Sequence, residues 1–541
     1  MKIKLIEFFS KESSSSKGII IFYTMLSGLL AGLLIWVINN SAELIYRGDN
    51  SNIQYVFIFI IVTCAMYITK KEAFKRSITM TEKLIRKMRL RLIKRIQHAD
   101  LLFLENNKDS EIYIRLTQDI NILSQSIPVL IITLDSVFTI IGIFIYCAFL
   151  SIKIFLCMFL FVCLSLIVFF SRYIETRNKF EFADELENNF FESIDGLLTG
   201  FKQIKVNYKR NDHIYDDLKK DAQNAENLIG DGIINLFQVS LITDLIFFGM
   251  IGFFIFLLPL MIDIQVIVIP KLITAILFIH SPLTIIYKFA PNLVMSNMAI
   301  EKIETLEQKI EKIHAQTIQP SSHPVDFKSI ELSSVSFSYK DKFNQISFSI
   351  GPLDLTINKG EVVFIAGGNG SGKSTLLKLL IGLYSTSSPG RIIIDGETLS
   401  DSTLLNYREL FSIIFTDYHL FKKLYGIETV DENQLNHWLS VMALDHKTAF
   451  VDQKFTNLNL STGQRKRLAY IVALLEDRPV YVFDEWAADQ DPEFRKYFYT
   501  TILNDLKRLG KTVIAVTHDD RYFDYADRLI LMDDGKIISS K

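Results

Sequence analysis

Six apolar runs dominate the first half of the chain, at 18–38, 53–69, 128–150, 153–172, 236–259 and 270–289. Each comes close to the roughly 20 residues a helix needs to cross the hydrocarbon of a bilayer. A backbone in lipid must satisfy its own hydrogen bonds, which restricts such runs to helices or closed barrels. Any one run could equally be a buried helix of a soluble protein; six in one half argue otherwise. Composition agrees: 49% of the 541 residues are hydrophobic, only 22% are charged, and 42 are Phe. The first run lacks a small-x-small cleavage site and is too long for a signal-peptide core, so it reads as a retained span.

Basic residues crowd the stretch from Lys70 to Arg95, whereas 39–52 offers only Arg47. Positive residues stay on the cytoplasmic side. The N-terminus, 70–127 and 173–235 are therefore expected inside, and the links 39–52, 151–152 and 260–269 outside. The two inside segments hold few Pro or Gly and read as helices continuing the spans, with short transverse turns near Phe103–Asn107 and Gly196–Gly200. A charged helix from 301 runs into Gln319-Pro-Ser-Ser-His-Pro324, the expected junction between a membrane domain at 1–324 and a second domain at 325–541.

Net charge is −2, from 58 basic and 60 acidic residues, which excludes a global basic field for gripping DNA or RNA, though not a local patch; no nucleic-acid partner is expected. Cys64, Cys147, Cys157 and Cys163 all lie in apolar runs without metal-ligand spacing and read as small buried hydrophobes.

Past residue 325 the pattern changes to short strands and Gly-rich turns. The β-branched stretch from Glu361 to Ala366 runs into Gly367-Gly368-Asn369-Gly370-Ser371-Gly372-Lys373-Ser374-Thr375 and then a Leu-rich helix. This is the G-x-x-x-x-G-K-[ST] loop in its strand–loop–helix context. Its glycines let backbone N–H groups face phosphate oxygens, and the helix N-terminus adds partial positive charge. Lys373 is expected to bridge the β- and γ-phosphates of a nucleoside triphosphate, and Ser374 to hold Mg²⁺.

The strand Val480-Tyr-Val-Phe483 delivers Asp484 and Glu485, and Thr512–Val516 delivers Thr517-His518. Ligands of open α/β sheets gather at such carboxyl ends. Asp484 suits Mg²⁺, Glu485 a catalytic role toward water, and His518 a bond to the γ-phosphate or the water.

Leu460-Ser461-Thr462-Gly463-Gln464 precedes a helical stretch between these motifs. The order of P-loop, Leu-Ser-x-Gly-Gln, hydrophobic-Asp-Glu and His resembles an ATP-binding cassette ATPase. With the six-span half, the chain resembles an ATP-binding cassette (ABC) exporter half-transporter over essentially its whole length. The resemblance implies an all-α six-helix transmembrane domain fused to an α/β P-loop cassette, with ATP and Mg²⁺ as cofactors. It implies that Tyr339 stacks on adenine and that Ser461, Gly463 and Gln464 cap ATP on the opposite subunit of a homodimer.

The departures narrow the family. Thr416, followed by Asp417, stands where a glutamine usually links Mg²⁺ to the membrane half. The segment after Glu485 reads Trp486-Ala-Ala-Asp489-Gln490-Asp491, not the common Pro-Thr-Ser-Ala-Leu-Asp. Together with Thr517-His-Asp-Asp520, it resembles the cyclic-peptide exporter branch, that of the pyoverdine-precursor and syringomycin exporters. The expectation is a multi-pass protein of a bacterial inner membrane that exports a peptide or siderophore-related small molecule. A lipid flippase, a multidrug exporter and a cargo-free membrane sensor are the alternatives. Asp135 and Asp244 lie inside apolar runs, where carboxylates are costly and functional by default. They are candidate cargo contacts, with bonding between helices as the other reading; His280 and Lys288 are weaker candidates.

Overall fold

The apolar runs are the inner parts of much longer helices. The computed structural model describes residues 4–12, 16–47, 53–107, 109–261, 267–311, 327–341, 343 and 345–541. Six of its helical stretches are long and apolar enough to cross a membrane: Lys17–Tyr46, Ile53–Gln97, Ser110–Leu150, Ile152–Thr199, Tyr208–Leu260 and Val268–Ile310. At about 1.5 Å per residue, the 48-residue helix Ile152–Thr199 runs far past the roughly 30 Å of bilayer hydrocarbon. Its polar C-terminal half, rich in Glu and Asn, is the part that leaves the lipid.

Packing divides the chain into two units, Met1–Ala99 with Asn106–Ile313, and Asp100–Glu105 with His314–Lys541. In the first, small residues let the first and third spans touch backbone to backbone. A Cβ on Gly32 would sit 2.4 Å from the carbonyl oxygen of Gly142, and one on Gly142 would sit 2.1 Å from that of Gly28. Asn39 donates to the Tyr146 hydroxyl at 2.8 Å and to the Lys271 carbonyl at 3.1 Å, tying these spans to the last one. Lys271 also pairs with Glu43. Cys147 is buried, but Cys64 is exposed on the second span, contrary to the expectation of burial. The second transverse segment also differs. The long helix continues through Gly196 to Thr199, and the separate short helix is Phe201–Val206.

The second unit is built on a six-stranded sheet in the order Lys536–Ser540, Arg528–Asp533, Val362–Gly367, Thr512–Val516, Val480–Asp484, Phe411–Ile414. All its pairings are parallel except that of the last two strands in the chain. Buried on both faces, the central strands read as continuous apolar runs. Val363 and Ile365 join one core with Val482 and Ile514, while Val362 and Phe364 join the other with Phe483 and Val513. A four-stranded antiparallel sheet is ordered Ile346–Asn358, Ser329–Lys340, Arg391–Ile394, Glu397–Thr398.

The short helix Leu101–Asn106 sends Leu101 and Leu102 against the first of these cores. Glu105 accepts from Lys378 Nζ at 2.7 Å and from the Tyr384 hydroxyl. Packing thus groups 100–105 with the second unit, whereas the sequence places them in the membrane half. The expected junction falls largely on 312–326, outside the described residues.

Candidate active site

Parallel register brings three motifs to one edge of the sheet. Val516 lies opposite both Asp484 and Ile365, so the P-loop, Asp484-Glu485 and Thr517-His518 leave adjacent strands at the same level. The loop after Val362–Gly367 needs its glycines: Gly370 and Gly372 have φ of +78° and +98°, a region that side chains disfavour. The helix Lys373–Leu380 follows directly, with Gly372 at its N-cap position.

Lys373 curls back over the loop and donates to the carbonyls of Gly367 at 3.1 Å and Gly368 at 2.9 Å. Burial holds its ammonium below the usual 10.5, with Glu485 and Asp484 pulling the other way. Ser374 Oγ lies 3.5 Å from Asp484 Oδ1. Asp484 is buried, and burial raises its carboxyl above the usual 3.8; Ser374 and Lys373 oppose this, while Glu485 and Asp417 add to it. A hydroxyl and a carboxylate side by side are hard oxygen donors of the kind Mg²⁺ takes. The buried Ser371 hydroxyl has no partner among the described residues, a further polar group available to a phosphate oxygen.

Glu485 is half-buried, with φ of +51°, and its Oε1 lies 3.0 Å from His518 Nε2. This pair faces a cavity of about 430 Å³ that Arg495, Tyr499 and Asp519 also line. Thr416 and Asp417 are exposed in the turn after Phe411–Ile414, and Asp417 is near enough to oppose ionisation of Asp484. Tyr339 lies beside the P-loop helix, its hydroxyl 3.3 Å from Thr375 Oγ1 and 3.1 Å from the Tyr384 hydroxyl.

Ser461, Gly463 and Gln464 are not gathered with these groups; among the described residues no hydrogen bond joins them to Gly367–Thr375. Ser461 caps the helix Thr462–Glu476 in a reciprocal box: its Oγ accepts from Gln464 N and its N–H donates to Gln464 Oε1. Sequence reasoning missed Lys466, one helical turn further on. This lysine is 2% exposed, and its ammonium meets the Glu485 carbonyl and the Asp489 carboxylate, each at 2.7 Å. Arg495 was missed as well. It donates to the carbonyls of Ala487, Ala488 and Gln490, and its guanidinium lies 3.8 Å from Asp519. The polar departures Asp489 and Gln490 were the available signal.

In the membrane unit both intramembrane carboxylates have partners. Asp135 pairs with Lys70 at 3.1 Å, while its other oxygen is buried with no hydrogen bond among the described residues. The pair borders a cavity of about 310 Å³ that Thr24, Phe74, Thr139 and Pro282 also line. Asp244 lies 3.0 Å from His280, whose ring packs on Phe247. Lys288 is exposed at the end of the helix Val268–Lys288.

Two family models match the chain: the ABC transporter transmembrane region over residues 17–283 and the ABC transporter over 350–488. The ATP-binding protein SyrD of Pseudomonas syringae pv. syringae is 31% identical over 97% of this chain and 95% of that protein. An ATP-dependent lipid A-core flippase of Pseudoalteromonas translucida is 30% identical, but over only 39% of this chain and 38% of that protein. Among solved structures, a bacterial Atm1-family ABC exporter with ATP bound aligns with a TM-score of 0.79 and 16% identity, covering 96% of this chain and 94% of that one.

Proposed function

The chain belongs to the ABC transporter family as an exporter-type half-transporter with one ATPase domain, and from that premise we propose that two copies export a peptide-type cargo. The observation that carries the proposal is the likeness to SyrD along nearly the whole of both chains, membrane half included. The resemblance of Asp484–Pro492 and Thr517–Asp520 to the cyclic-peptide exporter branch supports the same cargo class. A siderophore-related small molecule is the other cargo that this resemblance suggests, and the inner membrane of a bacterium is the proposed site of action.

The chemistry is phosphoryl transfer to water, in which positioning and charge neutralisation dominate. In our reading the N–H groups of Gly368–Ser374 cradle the phosphates of ATP, and Lys373 exchanges its loop carbonyls for β- and γ-phosphate oxygens. Tyr339 meets the adenine. Ser374 and Asp484 hold Mg²⁺, with Thr416 and Asp417 beside them; the ion, when bound, neutralises charge on the β- and γ-phosphates. Glu485 orients the attacking water and takes its proton. The water oxygen then bonds to the γ-phosphorus as the bond to the β–γ bridging oxygen breaks. His518, hydrogen-bonded to Glu485, steadies that carboxylate and the γ-phosphate.

One chain carries one P-loop and one Leu-Ser-x-Gly-Gln segment, and the latter has no bond to the former. That separation supports a homodimer in which Ser461, Gly463 and Gln464 close the partner copy's ATP site. Asp135, paired with Lys70, and Asp244, hydrogen-bonded to His280, are the proposed cargo contacts.

Metabolite profiling of the native host with wild-type protein or Glu485→Gln tests the cargo. A peptide or siderophore-like compound retained in cells and lost from the medium is the expected result. Unchanged profiles, including under iron limitation, would point to lipid instead, the reading the shorter flippase match favours. ATP hydrolysis in reconstituted vesicles without accumulation of any solute would point to a sensor.

A further inference from the structure

Among the described residues, Lys466 is the most deeply buried cation next to the active site, and its ammonium meets two partners. The aliphatic stem lies in the helix Thr462–Glu476, and the head meets the Glu485 carbonyl and Asp489 Oδ2. Burying a charge is costly unless it is paired and hydrogen-bonded. Here the pairing falls on the Asp489 carboxylate and on the backbone of Glu485, which holds a left-handed conformation that non-glycine residues disfavour. Three further contacts fix the same junction. Trp486 Nε1 donates to the Lys466 carbonyl at 2.8 Å, and Gln490 Nε2 donates to the Gly463 carbonyl at 3.1 Å. A Cβ on Gly463 would come within 2.8 Å of the Asp489 carbonyl oxygen, so the helix start and the 486–491 turn touch directly.

We propose that Lys466 is a positioning residue that carries the placement of the Ser461–Gln464 helix start to the catalytic carboxylate of Glu485 in the same chain. A helix shift that follows nucleotide at Ser461 moves Lys466 one turn away, and with it the Glu485 carbonyl, the left-handed turn and the carboxylate beyond it. The residues that depart from the common motif, Trp486, Asp489 and Gln490, are the ones that make these bonds, Trp486 and Gln490 as donors and Asp489 as acceptor. One subunit's hydrolysis thereby depends on the ATP its signature helix contacts in the other. This last step rests on the homodimeric reading above; the link from Lys466 to Glu485 does not.

The test uses full-length protein in lipid nanodiscs, titrated with MgATP. Lys466→Met keeps the stem and removes the donor; Asp489→Asn removes only the ion pair; Lys466→Arg retains a cation. Expected for Lys466→Met is a fall in kcat of about tenfold or more with KM within about twofold, and a Hill coefficient that drops to one. Asp489→Asn should shift kcat and the Hill coefficient the same way by less, and Lys466→Arg should recover part of both. Wild-type kcat and cooperativity in Lys466→Met would overturn the proposal. So would a kcat loss matched by loss of ATP binding and of thermal stability, the mark of a merely structural lysine. If Lys466→Met fails to fold, Asp489→Asn decides, since its carboxylate is half-exposed and its loss leaves no cavity. Ser461→Ala separates the two ideas: unchanged cooperativity there sinks the homodimeric reading while leaving the kcat effect of Lys466 standing.

Discussion

His518 Nε2 and Glu485 Oε1 lie 3.0 Å apart across the ends of two adjacent parallel strands. The contact is set by register: Val516 pairs with Asp484, so each side chain is delivered from the first positions beyond its strand. Glu485→Gln should retain ATP binding while hydrolysis falls by about 10²–10⁴-fold, the usual worth of a general base. His518→Ala should fall less, because it removes the support and leaves the base. Phosphate release and equilibrium ATP binding, measured side by side, check both; wild-type turnover in Glu485→Gln removes that residue from its role.

Burial holds the Lys373 ammonium below its ordinary value. The phosphates of ATP favour the charged form, so nucleotide affinity should fall as pH rises through this lowered pKa. Isothermal titration at pH 7 to 10 should show proton uptake on binding toward the alkaline end. Lys373→Met should abolish both the uptake and most of the affinity.

For Asp484 the shift has the opposite direction, and stability and activity part ways. Burial raises its folded pKa above the unfolded value. The native state therefore binds more protons in that window, and stability attributable to this group rises as pH falls through it. Turnover should drop over the same window, because a protonated carboxyl no longer holds Mg²⁺. Raising the Mg²⁺ concentration should move the acidic limb of the ATPase profile to lower pH. A profile indifferent to Mg²⁺ would assign that limb to another group.

The first and third spans meet through Gly28, Gly32 and Gly142. Gly142→Val should cost at least about 1–3 kcal/mol by overpacking, since the obstructing atom is a backbone oxygen that cannot rotate aside. Thermal unfolding in detergent reads the loss. Gly249→Ala, where a new Cβ meets nothing within 4 Å, is the matched control and should leave the melting point close to wild type.

Asp135→Asn removes the charge facing Lys70 but keeps the shape of the cavity. If this carboxylate receives a cationic group of the cargo, stimulation of ATPase by host extract should fall by about tenfold, the worth of one charged contact. Asp244→Asn should behave likewise. Undiminished stimulation in both would leave the two pairs a structural role between helices.

The membrane half was legible because lipid demands uninterrupted apolar helices, and the P-loop, Asp484-Glu485 and His518 because each is a contiguous motif at a strand end. What the sequence hid was long-range. A lysine after a helix cap reads as a solvated residue; Lys466 is buried only because Glu485, Trp486 and Asp489 fold over it. The glycines at 196 and 200 suggested a turn between them, yet a long helix tolerates a glycine such as Gly196, with open space around it, at a cost of only about 1 kcal/mol, and the chain turns only at Gly200. Cys64 reads as core on composition alone, but a lipid-facing helix is apolar on its outside too.

The hydrogen bond between Glu105 and Lys378 spans 273 positions of sequence. A cassette produced by itself from residue 325 onward would lack Leu101, Leu102 and Glu105, and would show water the apolar surface they cover. Such a fragment should be prone to self-association, and a short synthetic peptide bearing residues 100–106 should act as its solubilising cofactor. The boundary drawn by sequence order is therefore the wrong place to cut when preparing the ATPase for study.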